Sequence, residues 1–179
     1  MSQIATTYAQ ALYDLAKEEQ LTQPILQQLM TLQEAFRQEP DFLRLMTAAN
    51  LSKEERCGIL DDSFRGRVEP YVLNFMKILT EKGYMRHFGS CAKAYRDAYN
   101  VDHGILPVQA VTAAPMTREQ AERLSQKLEQ LTGKTIDLSC RVDPAVLGGV
   151  RLDYDGKRVD GTVQSRLDAV SKLLKNTVL

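Results

Sequence analysis

The apolar residues of this 179-residue chain keep one period as far as about His103 and another afterwards. Apolar positions at i, i+3, i+4 and i+7 bury one stripe of a helix, whereas strict alternation buries one face of a strand. A chain that changes period once must build a helical part and then a part containing a sheet. We therefore expect an α+β fold, mainly α, with a six-helix bundle over 1–103 and a small mixed-sheet β-α-β-β-α domain over 104–179. At this length folding removes roughly 70% of the unfolded surface from water, enough for one good core or two small ones.

Ile4, Tyr8, Leu12 and Leu15, with Ala5, Ala9, Ala11 and Ala16 around them, predict a first helix of four turns. Thr22 stands where a second helix needs a cap, with Pro24 in its first turn and Ile25, Leu29, Leu32 and Phe36 on one stripe. A short third helix follows Pro40 and carries Phe42, Leu43 and Met46. Ser52-Lys53-Glu54-Glu55 is a capping box, whose hydroxyl and carboxylate satisfy N–H groups that the first turn leaves open, and it starts a fourth helix through Phe64. Pro70 starts a fifth, from Tyr71 to Leu79, which is apolar on nearly every side and stops near Gly83; such a helix belongs at the centre of a bundle. The sixth turns Phe88, Cys91, Tyr95 and Ala98 inward and Lys93, Arg96 and Asp97 outward.

After Asp102-His103-Gly104 a strand is predicted from Ile105 to Ala113, and Thr117-Arg118-Glu119-Gln120 forms a second capping box ahead of Ala121, Leu124, Leu128 and Leu131. Thr135 to Val142 alternates, with Ile136, Leu138, Cys140 and Val142 on the face to be buried. Val150, Leu152 and Tyr154 alternate again, and Asp155-Gly156 tolerates the positive φ of a tight hairpin leading to a short strand at Lys157–Val159. Val163, Leu167, Val170 and Leu174 predict a last amphipathic helix.

Composition narrows the function. Lys+Arg and Asp+Glu both number 23, so the net charge is zero, where a polybasic nucleic-acid binder needs an excess of cations. The split is 12 basic to 14 acidic residues in 1–103 and 11 to 9 in 104–179, too even for long-range steering. Cys57, Cys91 and Cys140 lie at least 34 residues apart and form neither a metal pair nor a disulfide framework. The polar first turn and the lack of a ~20-residue apolar run predict neither a leader peptide nor a membrane span. Gly133-Lys134-Thr135 lacks the earlier glycine and preceding strand of a phosphate loop and reads as a helix end entering a strand. His87 and His103 are the only imidazoles and read as surface or helix-end histidines, and no serine sits in a nucleophile elbow. These features leave protein-binding surface as the main chemistry on offer. A two-domain regulatory or nucleic-acid adaptor is the competing class, and an enzyme using the Gly133 loop a more distant one.

Several segments resemble one family. Thr7-Tyr8-Ala9-Gln10-Ala11-Leu12-Tyr13-Asp14-Leu15-Ala16 and Asn74-Phe75-Met76-Lys77-Ile78-Leu79 with Gly83 are similar to the helical half of the delta subunit of bacterial F-type ATP synthase, the counterpart of the mitochondrial oligomycin-sensitivity protein. Ala113-Ala114-Pro115-Met116-Thr117 with Gln120 and Leu124 resembles the start of its long C-terminal-domain helix. Val142 to Val150, with Gly148-Gly149, and Asp160-Gly161-Thr162-Val163 with Arg166 and Leu167 resemble its signature. Thr162 and Gln164 stand where the family commonly has Ser and Arg. The resemblance runs through the whole chain in the family's order.

It implies a stator adaptor with no catalytic residue, cofactor or metal. The helical domain would take the N-terminal helix of an alpha subunit into a groove between its first and fifth helices. The second domain would hold the peripheral-stalk b subunits. One copy per complex would sit on the cytoplasmic face of the bacterial cell membrane without inserting. For the groove we take Tyr8, Ala11, Leu12, Leu15, Asn74, Lys77 and Ile78. Small alanines beside Tyr8, Leu12 and Leu15 let a partner helix approach, and the surplus apolar face of the fifth helix can receive one. Taken singly, Leu12, Leu15 and Ile78 also suit a core, and Asn74 suits either an internal bond or a groove rim. Gly148, Gly149, Asp160, Gly161 and Arg166 are candidates for stalk contact. Their backbone roles are a turn or bulge for the glycine pair and a turn plus cap for Asp160-Gly161-Thr162, while Arg166 also reads as part of a solvated face.

Overall fold

The computed structural model describes residues 3–48, 50–146 and 148–161. The chain divides into two compact units, Met1–Tyr99 and Asn100–Leu179, described here one at a time. The predicted last helix, with Arg166, lies outside the described residues.

In the first unit the helices are α1 (Gln3–Glu18), α2 (Thr22–Gln38), α3 (Pro40–Thr47), α4 (Lys53–Phe64) and α5 (Pro70–Glu81), then a 3-10 turn (Met85–His87) and α6 (Phe88–Asp102), whose last residues belong to the second unit. Local chemistry fixes several ends. At α4, Glu55 N–H donates to Ser52 Oγ at 3.1 Å and Ser52 N–H donates to the Glu55 carboxylate at 2.8 Å, completing the capping box. Thr22 is the first residue of α2 rather than its cap, since Leu21 occupies the cap position without a side-chain bond; the Thr22 carbonyl instead accepts from the Tyr95 hydroxyl at 3.0 Å.

One core joins these helices. Ile25, Leu29, Leu32 and Phe36 of α2 are buried together with Ala5, Ala9, Leu12, Tyr13 and Ala16 of α1. Phe36 touches three rings at once, Phe42, Phe64 and Phe88, at centroid distances of 5.0, 6.2 and 5.0 Å. Contrary to the expectation of a helix enclosed on all sides, α5 buries one broad face, Val72, Phe75, Met76, Leu79 and Thr80, and exposes Asn74 and part of Ile78. Twelve residues put apolar groups all round a helix, but neighbours cover only the sides they reach.

In the second unit β1 (Ile105–Thr112), α7 (Arg118–Thr132), β2 (Thr135–Val142), β3 (Val150–Tyr154) and β4 (Lys157–Asp160) build a mixed sheet in the order β2-β1-β3-β4. β1 pairs parallel with β2 across α7, and antiparallel with β3. Thr117 and Gln120 form the second capping box, and Gly133 closes α7 with its N–H on the Glu129 carbonyl at 2.8 Å. The β3–β4 hairpin turns on Asp155 and Gly156, both at positive φ. On β2 the alternation departs from the expected buried face: Ile136 is buried, but Cys140 is exposed and Val142 is 44% exposed. Among the described residues β2 is an edge strand, with a neighbour on one side only. No described helix is long and apolar enough to cross a membrane.

Candidate helix-docking groove

Two contacts set α1 beside α5. The Glu19 carboxylate, just past the end of α1, lies near Tyr71 in the first turn of α5. Burial and that carboxylate raise the Tyr71 pKa above the ordinary phenol value. At the other end, the rings of Tyr8 on α1 and Tyr84 just past α5 meet edge-on at 5.9 Å. Start meets end in both cases, so the helices run antiparallel. Gly83 makes the second contact possible: at φ 72° it lets Tyr84 N–H reach back to the Leu79 carbonyl at 2.6 Å, a Schellman turn that brings the Tyr84 ring round toward α1.

Side chains advance about 100° per residue round a helix. On α1 the core stripe is Ala5, Ala9, Leu12, Tyr13 and Ala16. A second stripe, Ile4, Tyr8, Ala11 and Leu15, lies beside it; Ile4 and Tyr8 are half-buried, Ala11 is exposed and Leu15 is 36% exposed. On α5 the matching flank is Tyr71, Asn74 and Ile78, with Ile78 also 36% exposed and Asn74 exposed. Each helix thus keeps a partly exposed flank beside its core stripe, and the exposed Asn74 lies on that of α5.

Of the sequence candidates, Tyr8, Ala11 and Leu15 share one flank of α1, and Asn74 and Ile78 share one flank of α5. Two of the sequence candidates stand elsewhere. Leu12 is 5% exposed and belongs to the core, since it lies on α1's inward stripe. Lys77 is on the opposite flank of α5, where its Nζ meets the Asp61 carboxylate of α4 at 2.6 Å. That ion pair, with Arg65 at 3.0 Å, holds the Asp61 carboxyl below the ordinary Asp range, the Lys77 bond first and the Arg65 bond second. Sequence reading passed over Tyr71 and Ile4; their signal is the helical spacing of Tyr71 from Asn74 and Ile78, and of Ile4 from Tyr8 and Ala11.

In the second unit, Gly148 and Gly149 have φ of 126° and 86° and form a turn into β3 that other residues would strain. Asp160 is the last residue of β4, opposite Arg151 of β3, and not part of a turn. A Cβ on Gly161 would lie 3.1 Å from the Val150 carbonyl oxygen, so glycine there serves close backbone approach. Gly149 and Val150 also line a cleft of about 510 Å³ with Ala113, Pro115, Met116 and Leu124. Segments 25 or more residues apart in sequence thus share one surface.

Among the described residues the fold is α+β and mainly helical, with a mixed four-stranded sheet in the second unit. The profile of one sequence family, described as ATP synthase delta (OSCP) subunit, matches residues 4–174. The chain belongs to that family. Among curated relatives it is 30% identical to ATP synthase subunit delta of Alkaliphilus oremlandii, over 98% of each chain. It is 27% identical to the protein of the same name from Clostridioides difficile, over 98% of this chain and 97% of that one. A chain in the cryo-EM structure of the Toxoplasma gondii mitochondrial ATP synthase hexamer superposes with a TM-score of 0.74 at 20% identity, covering 97% of this chain and 98% of that one; the likeness is one of fold.

Proposed function

We propose that this chain is a non-catalytic stator link of an F1Fo ATP synthase, joining the alpha3beta3 catalytic head to the b subunits of the peripheral stalk. A stator link carries static load: it resists the torque of the turning rotor, so that proton-driven rotation makes ATP instead of dragging the head round. That task calls for grip at two ends and for no reacting groups. The helical unit grips the N-terminal helix of an alpha subunit, and the second unit grips the stalk, with the cleft beside Gly149 and Pro115 as its candidate surface. The complex holds one copy, peripheral to the cytoplasmic face of the bacterial cell membrane.

Membership of the family supports this reading, and one observation carries its detail. Leu15 of α1 and Ile78 of α5 each keep 36% of their surface in water, partly exposed apolar side chains of the kind an amphipathic helix can cover. The test is to mix the purified chain with a peptide of the alpha-subunit N-terminus from the same organism. A complex at micromolar concentration is expected; none at that concentration removes the groove from the account.

A further inference from the structure

The sheet of the second unit has one guarded edge and one open edge among the described residues. β4, at one end of the order β2-β1-β3-β4, is four residues long and begins Lys157-Arg158, a short cationic edge of the kind that discourages pairing. β2, at the other end, runs for eight residues, Thr135–Val142, without a proline, glycine or lysine. Its contacts show which residues bond inward. Thr135 N–H donates to the Gly104 carbonyl at 3.1 Å and Asp143 N–H to the Thr112 carbonyl at 2.9 Å, so the odd-numbered residues bond to β1. The even-numbered ones turn their N–H and C=O groups to the outer edge. Of these, the Ile136 N–H donates to the Glu129 carboxylate at 3.2 Å, which leaves Leu138, Cys140 and Val142 with outward N–H groups. Apolar surface lies there as well, since Cys140 is exposed and Val142 is 44% exposed.

We propose that two copies of the chain pair antiparallel through their β2 edges, about a two-fold axis at Ser139. Charge selects this register. Asp137 and Arg141 are the two charged residues of β2, and both are exposed. An axis at Asp137 or at Arg141 sets like charges against each other, and one at Leu138 or Cys140 sets Asp137 against Ser139 or Asp143. At Ser139 the axis sets Asp137 opposite Arg141 of the second copy, twice by symmetry. Hydrogen bonding selects the same register. Leu138 then faces Cys140 and Ile136 faces Val142, so that outward residues oppose outward residues and exchange N–H···O bonds. The Asp137–Arg141 pairs fall at the positions without those bonds, where opposed Cα atoms are closer, at about 4.5 Å. A strand edge buries less than the roughly 1,200–2,000 Å² of a stable interface, so the pair is weak and concentration-dependent. On the reading given above, with one copy per complex, it belongs to chains outside the complex.

The test is sedimentation of the whole chain from micromolar to millimolar concentration, with Asp137→Arg and Arg141→Asp as variants. Both sites are exposed, and a thermal melt checks that each variant is folded. The parent is expected to shift from monomer toward dimer over that range, while its Leu138, Cys140 and Val142 amides exchange hydrogen more slowly. Each reversal alone sets like charges at both crossings and is expected to weaken the dimer roughly tenfold or more. Mixed one to one, the two variants bring two cations against two carboxylates, and a heterodimer at least as tight as the parent dimer is expected. Both reversals in one chain should restore self-pairing. A parent that stays monomeric at millimolar concentration overturns the proposal, and slow exchange at those three amides in such a monomer shows the edge covered within one chain. A dimer that both single reversals leave unchanged, or a mixture that forms no heterodimer, overturns the β2 register. No alpha-subunit peptide enters these measurements, so this inference and the groove reading fail separately.

Discussion

Ile78→Asp isolates the groove from the core. In the free chain Ile78 is 36% exposed, so a docked helix has about a third of the side chain left to cover. Full burial of an isoleucine is worth about 1.5–3 kcal/mol, and a third of that about 0.5–1 kcal/mol. The aspartate forfeits this gain and also puts a carboxylate beneath the docked helix. A buried polar group without a partner costs about 1–3 kcal/mol, and a charge more. Together these weaken the complex by about 2–4 kcal/mol, or about 30- to 700-fold. Folding gives up only the part of Ile78 already buried, about 1–2 kcal/mol, against about 5–15 kcal/mol for a domain of this kind. Calorimetric titration with the alpha peptide reads the first quantity and a urea melt the second. Val101→Asp is the control: Val101 is 83% exposed on α6, and its substitution should leave affinity within twofold. A folded Ile78→Asp chain that binds within threefold of the parent refutes the reasoning.

Phe36→Ala should destabilise the chain by about 3–5 kcal/mol in a urea melt, because Phe36 is buried against three other rings and little can move into the space. Asp61→Asn should remove an acid-sensitive part of the stability and leave peptide affinity unchanged. Because the folded Asp61 pKa is depressed by Lys77 and Arg65, its contribution is present above the unfolded value of about 4 and fades as pH falls through the folded one, so parent and variant midpoints should differ at pH 6 and converge in strong acid. Thiol alkylation at pH 8 should modify exposed Cys140 first and Cys91 last, since burial pushes the Cys91 thiol up to about 11.

What the sequence made legible was what neighbours along the chain decide. Ser52 with Glu55 and Thr117 with Gln120 marked helix starts because capping is local chemistry. The β2 boundaries followed from alternation, but its exposed second half did not, because an edge position depends on strand order and not on period. The groove was partly legible for the same reason. Periodicity showed that α1 carries more apolar residues than one stripe needs, yet it could not assign Leu12 to the core and Leu15 to the trough, which differ only in what lies beside α1. Lys77 needed knowledge of Asp61, sixteen residues earlier on another helix. The nearness of Tyr71 to Glu19, fifty-two residues earlier, likewise depends on packing between helices and not on spacing within one.

The central claim is that the trough between α1 and α5 receives a helix of the alpha subunit. Amide shifts of the isotope-labelled chain, recorded as the alpha N-terminal peptide is added, test it most directly. The account predicts the largest changes at Tyr8, Ala11, Leu15, Tyr71, Asn74 and Ile78, with small ones at Asp61 and Lys77 on the far flank of α5. A peptide that binds while its largest shifts fall at Asp61 and Lys77, or in the second unit, contradicts it.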